Sequence, residues 1–227
     1  MYDGAVYIAE DWEFAEFSLR DLKHVFVEKP DRLDLEQVQY LKKIAQESGT
    51  VLQLGAGYKY CPVYNELKQS AQWARMIDVR LQLTENCNWG MELYYVLDFA
   101  TSVINADISK IEVRANDVTH CILNCNNGCV INILAYTVFE PCPKLELTFI
   151  SDETVISADI FNSSVKTQHR TRSETDTVFF DAYCEHSVRN GYLTNFHRAI
   201  DKDTNAVRTI DKQFQNMIVA KQNTFVK

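Results

Sequence analysis

The chain has 227 residues, enough for one large domain or two small ones, with 46% hydrophobic and 24% charged residues, an ordinary globular balance. Its net charge of −8, from 23 basic and 31 acidic residues, argues against non-specific binding to nucleic acid or to anionic membranes. No apolar run reaches transmembrane length, and Met1-Tyr2-Asp3-Gly4 lacks the basic start and long apolar core of a signal peptide.

The first elements alternate. Ala5–Ala9 is a short apolar run that reads as a buried parallel strand. Residues 12–22, with Trp12, Phe14, Ala15, Phe17, Leu19 and Leu22 among acids, predict a short helix. His24–Val27 is a second strand, and strand, helix, strand in so few residues implies a parallel sheet. This strand runs directly into Glu28-Lys29-Pro30. A lysine ending a buried strand is unusual, because a desolvated ammonium is costly unless paired or in use. Pro30 fixes its own φ and biases Lys29 toward extended backbone. The strand therefore aims a charge at the carboxyl end of the sheet, where open α/β sheets bind ligands. The local pattern equally allows a surface lysine in a strand-to-helix turn.

Asp34 caps the next helix, which runs to about Ser48, with Gln37 placed for a capping box and Gly49 for the C-terminal stop. Leu35, Val38, Leu41, Ile44 and Ala45 form its apolar stripe. Val51–Leu54 is a third parallel strand. It ends in Gly55-Ala56-Gly57, which lacks the third glycine of a phosphate loop and reads as a tight turn or close backbone approach.

From Pro62 the pattern changes. A helix is predicted around residues 62–71, then an alternating strand Ile77–Thr84. A helix over Gly90–Asn105 carries Leu93, Val96, Leu97, Ala100 and Ile104 at helical spacing. Runs of β character follow at 109–115, 118–124, 129–137, 144–150 and 154–160, several joined by turn residues, which favours antiparallel pairing. Residues 164–169 and 176–180 suit edge strands. Helices close the chain at Ala182–Ile200 and from Asp211 to about Asn223, the last with Thr209 or Asp211 as cap. The expected class is α/β followed by α+β: a truncated parallel Rossmann remnant over residues 1–56, then over 57–227 a domain with a large, mostly antiparallel open sheet flanked by helices.

The seven cysteines are Cys61, Cys87, Cys121, Cys125, Cys129, Cys142 and Cys184. An odd count in a chain of this size reads as reduced thiols of a cytoplasmic protein. Asn126-Asn127-Gly128 between Cys125 and Cys129 is a hairpin signal, and His120 alone is thin support for a metal, so none is expected.

Taken in this order, the chain resembles the glucose–fructose oxidoreductase/inositol dehydrogenase (Gfo/Idh/MocA) family over nearly its whole length. The resemblance rests on Ala5–Ala9, Lys23–Pro30, Val51–Gly55 with Tyr58-Lys59-Tyr60, Asn127-Gly128, and Asn195-Phe196 with Ala199-Ile200. It implies a Rossmann domain for NAD or NADP, and a sheet domain that binds a sugar, polyol or nucleotide sugar and pairs two copies through its open sheet. It implies that Glu28, Lys29 and Pro30 lie at the cofactor, that Lys29 orients the reacting hydroxyl, and that Lys59, Tyr60, Glu92 and Tyr95 lie on the substrate side. An ammonium beside the reacting oxygen would stabilise developing alkoxide charge.

The chain also departs from that pattern. It has no Gly-x-Gly-x-x-Gly and begins at what corresponds to the fourth Rossmann strand, so the first nucleotide-binding half is expected to be absent and dinucleotide binding weak. Glu10-Asp11 would repel a pyrophosphate. Setting the family's Asp-x-Gly-x-His-x-x-Asp on Asp98 puts Tyr95 at the His, Leu93 at the Gly and Met91 at the first Asp. Tyr95 is then either a proton donor beside Lys29 or a core aromatic with a tethered hydroxyl. His186 and His197 read as surface or core histidines. Two functions stand: an oxidoreductase-like protein incomplete in cofactor binding, or a non-catalytic dimerisation or carbohydrate-binding module.

Overall fold

The computed structural model describes residues 4–8, 11–55, 57–84, 87–115, 118–138, 144–171 and 174–223; the expectations on Ala9, Glu10, Ala56 and Cys142 lie outside them. By Cα proximity the chain forms two compact units. The first takes residues 1–57, 88–98 and 186–225, and the second 58–87, 99–185 and 226–227. Two later segments thus join the N-terminal stretch in one unit.

The first unit is built on a parallel three-stranded sheet, β1 (Ala5–Ile8), β2 (His24–Val27) and β3 (Leu52–Leu54), in that order. Helix α1 (Trp12–Arg20) makes the crossover from β1 to β2, and α2 (Leu35–Ser48) the one from β2 to β3. The start of α2 is as its sequence predicts. Asp34 accepts from the Gln37 amide at 2.8 Å, and the Gln37 side chain accepts from the Asp34 amide at 2.9 Å. Gly49 stops it in the left-handed region with φ 67°. Val38, Leu41, Ile44 and Ala45 are buried, while Leu35 is half-buried.

Two helices from late in the chain complete this unit, α5 (Glu185–Ile200) and α6 (Thr204–Gln222). The predicted start of α6 at Asp211 is corrected. The helix begins at Thr204, and Asp203 caps it by accepting from the amides of Asn205 and Ala206 at 2.9 and 3.1 Å. Ala206 and Ile210 extend the buried stripe of Phe214 and Met217 back by two turns.

The second unit is an eight-stranded sheet of β4 (Met76–Leu83), β5 (Ile108–Ala115), β6 (Val118–Cys125), β7 (Val130–Thr137), β8 (Lys144–Ile150), β9 (Thr154–Asp159), β10 (Ser164–His169) and β11 (Thr175–Phe179). Its order is β11-β10-β9-β8-β4-β7-β6-β5. Every pairing is antiparallel except β4 with β7. One expectation shifts: β11 is an edge strand, but β10 pairs on both sides. Ile77, Val79, Leu81, Ile131, Ile133, Leu145, Leu147 and Phe149 are buried on one face. Asp78, Arg80, Asn132, Glu146 and Thr148 alternate with them onto the other. Helix α3 (Pro62–Ser70) packs against β10. The Asn126-Asn127-Gly128 turn joins β6 to β7 as expected, with Gly128 at φ 84° and its amide bonded to the Cys125 carbonyl at 3.0 Å. Helix α4 (Trp89–Val103) buries Leu93, Val96, Leu97 and Ala100 completely.

Candidate functional site

The site grows from the carboxyl ends of β2 and β3. Val25, Phe26 and Val27 are buried because a parallel strand is covered on both faces. Burial stops at Glu28, which is half-buried, and Lys29 is exposed. Pro30 is buried and opens a short 3₁₀ turn, Pro30–Arg32, that leads to Leu33 and the Asp34 cap. Lys29 has φ −125° and ψ 83°, short of the regular extended backbone expected before a proline, at the point where the chain turns. The ammonium therefore stands in solvent at the sheet's end.

Glu28 is engaged on both its groups. Its carboxylate pairs with Arg189 Nε of α5 at 3.0 Å, a partly exposed contact of modest strength. Its carbonyl faces the end of β3. The Gly55 amide donates to the Val27 carbonyl at 2.8 Å, and a Cβ on Gly55 would stand 2.3 Å from the Glu28 oxygen. Gly57 is packed in the same way: its Cβ would stand 2.7 Å from Tyr95 Cδ2. Both glycines are there for close approach, as the Gly-x-Gly pattern suggested. They bring the Tyr95 ring to the end of the sheet that carries Glu28-Lys29-Pro30. Tyr95 is half-buried and its ring lies 5.6 Å from that of Tyr94.

Glu92 precedes Tyr95 by one helical turn on α4 and is half-buried. Asn88 holds the start of α4 by accepting from the amides of Gly90 and Met91 at 3.1 and 3.3 Å. Met91 and Leu93 are core residues, so no polar group of theirs reaches a ligand.

A buried polar chain links β3, α4 and α5. Asp98 is fully buried and accepts from the Tyr192 hydroxyl at 3.1 Å. The Tyr192 carbonyl accepts from Gln53 Nε2 at 3.2 Å. Asn195 Nδ2 donates to Gln53 Oε1 at 3.2 Å and to the Ala206 carbonyl at 3.4 Å. The chain ties β3 to α4 and α5, the elements that carry Gly55 and Tyr95. Its one visible signal is a glutamine inside the apolar run Val51-Leu52-Gln53-Leu54.

The fold has counterparts among solved structures. A UDP-N-acetylglucosamine 3-dehydrogenase from Acidithiobacillus ferrooxidans superposes with TM-score 0.76 at 20% identity, over 98% of this chain and 78% of that one. A dehydrogenase from Chromobacterium violaceum gives TM-score 0.79 at 16% identity, over 99% and 75%. An inositol dehydrogenase homolog from Azotobacter vinelandii, complexed with NADH and myo-inositol, gives 0.77 at 10% identity, over 97% and 74%. The chain has the fold of Gfo/Idh/MocA-type dehydrogenases. No family model and no curated protein matches its sequence.

The inositol dehydrogenase homolog carries NADH, and residues 1–227 contain no Gly-x-Gly-x-x-Gly of the kind that cradles the pyrophosphate of such a cofactor. In such folds a helix N-terminus after a strand supplies amides to phosphate. The N-terminus of α1 is occupied by its own cap, the Asp11 carboxylate accepting from the amides of Glu13 and Phe14 at 3.0 and 3.1 Å. The space beside Gly55 and Gly57 is filled by the Glu28 carbonyl and the Tyr95 ring.

The remaining predicted residues belong to the second unit. Lys59 is buried, its Nζ 5.6 Å from the Tyr60 ring centroid. Tyr60 has φ 67° and meets Tyr64 edge-on at 5.8 Å, and Tyr64 meets Phe99 at 5.6 Å. Lys59 and Tyr60 are thus built into an aromatic cluster. Among the described residues no three His, Cys, Asp or Glu side chains group to hold a metal, and no helix is long and apolar enough to cross a membrane.

Proposed function

We propose that these residues form the substrate-orienting part of an oxidoreductase acting on a sugar, polyol or nucleotide sugar, and that on their own they bind NAD or NADP weakly. The observation that carries this reading is the exposed Lys29 at the carboxyl end of β2, with Tyr95 held at the same end of the sheet against Gly57. Lys29 would donate a hydrogen bond to the reacting oxygen and stabilise negative charge developing there. Tyr95 would hold or deliver a proton at that oxygen, and Glu92 would accept from a neighbouring hydroxyl. Residues 1–56 then correspond to the dinucleotide part and 57–227 to the substrate and dimerisation part, with two copies pairing through the open sheet.

The lack of a Gly-x-Gly-x-x-Gly in residues 1–227 supports the weak-cofactor half of this reading. It equally favours the second reading, a non-catalytic carbohydrate-binding or dimerisation module. Calorimetric titration with NADH and NADPH, and thermal-shift titration with N-acetylglucosamine and myo-inositol, test both. Stabilisation by a sugar that is reduced in Lys29→Ala is the expected result. Saturable micromolar dinucleotide binding would overturn the weak-cofactor expectation, and no sugar response in either protein would overturn the site.

A further inference from the structure

A groove on the second unit is independent of everything assigned above. Four turns meet at the end of the eight-stranded sheet where the parallel pair β4 and β7 begins. They are the α3–β4 connection, the α4–β5 turn, the β6–β7 hairpin and the β8–β9 turn. They enclose an open groove of about 830 Å³, lined among others by Trp73, Arg75, Asn105, Asn127, Asp152 and Glu153.

Trp73 is the unusual member. It is 77% exposed, although tryptophan is mostly buried in folded proteins. The polar groups around it are partly paired with one another and with backbone. Arg75 Nη2 pairs with Asp152 Oδ2 at 3.4 Å. The Arg75 backbone is clamped on both sides, its amide to the Ile150 carbonyl at 2.8 Å and its carbonyl to the Val130 amide at 3.0 Å. Asn127 Oδ1 accepts from the Cys129 amide at 3.0 Å, and its Nδ2 donates to the Ile104 carbonyl at 3.4 Å.

The chemistry of the lining selects a ligand class. An anion is disfavoured, because Asp152 and Glu153 outnumber Arg75, which Asp152 already neutralises. A greasy ligand is disfavoured too, because Trp73 is the sole aromatic among mostly hydrogen-bonding side chains. A pyranose ring suits both features. Its C–H face lies flat on an indole, and its vicinal hydroxyls pair with a guanidinium–carboxylate couple and an amide, which supply donors and acceptors side by side. We propose that this groove is a saccharide-binding subsite that shares no residue with the Lys29–Tyr95 site. It does not depend on the oxidoreductase reading.

The test uses the whole chain labelled with 5-fluorotryptophan, whose three tryptophans, Trp12, Trp73 and Trp89, give separate fluorine resonances. Trp73→Phe assigns the relevant one, and its exposure makes that change harmless to folding. Titration with cellobiose and with N-acetylglucosamine is expected to move the Trp73 resonance saturably at millimolar sugar in the wild type and equally in Lys29→Ala, which separates this groove from the Lys29–Tyr95 site. Trp73→Ala should weaken sugar binding, read by saturation transfer to the sugar protons, about tenfold, and Asp152→Ala should weaken it severalfold. No movement of the Trp73 resonance up to on the order of 0.1 M sugar would overturn the proposal. So would an Asp152→Ala response equal to wild type, or a response to an acetylated leucine peptide in place of the sugars.

Discussion

Gly55→Ala isolates the contact that sets the ends of β2 and β3. The added methyl would start 2.3 Å from the Glu28 carbonyl oxygen, 3.1 Å from its carbon and 3.4 Å from its Cα. An ordinary carbon–oxygen contact needs about 3.4 Å, so the two strand ends must part by roughly 1 Å. Both partners are backbone, and no side chain can rotate out of the way. The separation also stretches the 2.8 Å bond from the Gly55 amide to the Val27 carbonyl. Overpacking of this kind costs about 1–3 kcal/mol, and a lost backbone hydrogen bond about 1 kcal/mol. The sum, about 2–4 kcal/mol, should lower the melting temperature by about 5–15 °C for a chain of this size. Circular dichroism melts of wild type and variant at equal concentration measure it. Gly57→Ala is the companion. Its obstacle is the Tyr95 ring at 2.7 Å, a side chain that can turn, so this variant should cost less stability while re-aiming Tyr95. If Gly55→Ala melts within about 1 °C of wild type, or Gly57→Ala is the more damaging, the close-approach reasoning is refuted.

Further expectations follow from single contacts. Tyr192→Phe removes the donor to the fully buried Asp98 and should destabilise by about 1–3 kcal/mol in urea unfolding, far more than Tyr40→Phe, whose hydroxyl contacts are exposed. The Asp203 carboxyl is held below its ordinary value, first by the Arg198 side chain and then by the Ala206 amide. A depressed acid contributes stability that is complete above the unfolded value of about 4 and is lost as pH falls through the lower folded value. Asp203→Asn should therefore flatten the acid limb of the stability curve below about pH 4, and an unchanged limb counts against the pair. Burial pushes the Cys61 thiol up to about 11 and those of Cys121 and Cys129 up to about 12, while Cys184 is exposed. Iodoacetamide at mild alkaline pH should label Cys184 and spare those three in the native protein; peptide mass mapping decides.

What could be read from the sequence was what is decided locally. The capping box of Asp34 and Gln37, the stop at Gly49 and the Asn126-Asn127-Gly128 hairpin are each set by side chains within a few residues, and the structure has them where expected. The start of α6 misled because Asp211 looks like a cap. The true cap, Asp203, lies where the chain leaves α5, and Arg198 of that helix bonds it at 2.6 Å. The buried polar chain was out of reach for a different reason. Gln53 and Asn195 are 142 residues apart, so neither the partner nor the hydrogen bond has any local signature.

The same distinction reinterprets the lysine that draws the eye in the sequence. The strand's full burial ends at Val27, and Lys29 lies in solvent rather than in the core. Its significance comes instead from its surroundings, which are costly to build. Two glycines are needed to let the Glu28 carbonyl and the Tyr95 ring approach β3, and a fully buried Asp98–Tyr192–Gln53–Asn195 chain fixes the helices behind them. Buried polar groups of that kind lower stability unless every member is paired, so apolar packing would hold the same helices at less risk. Asp98 shares α4 with Tyr95, and tying that helix to α5 and β3 is what an aimed site requires, since a reacting group on a loosely held helix loses orientation. If the chain serves only as a dimerisation module, Asn195 and Gln53 should be replaceable together by leucine with no change in sugar response; loss of that response in a protein that still folds would tie the buried chain to the site it supports.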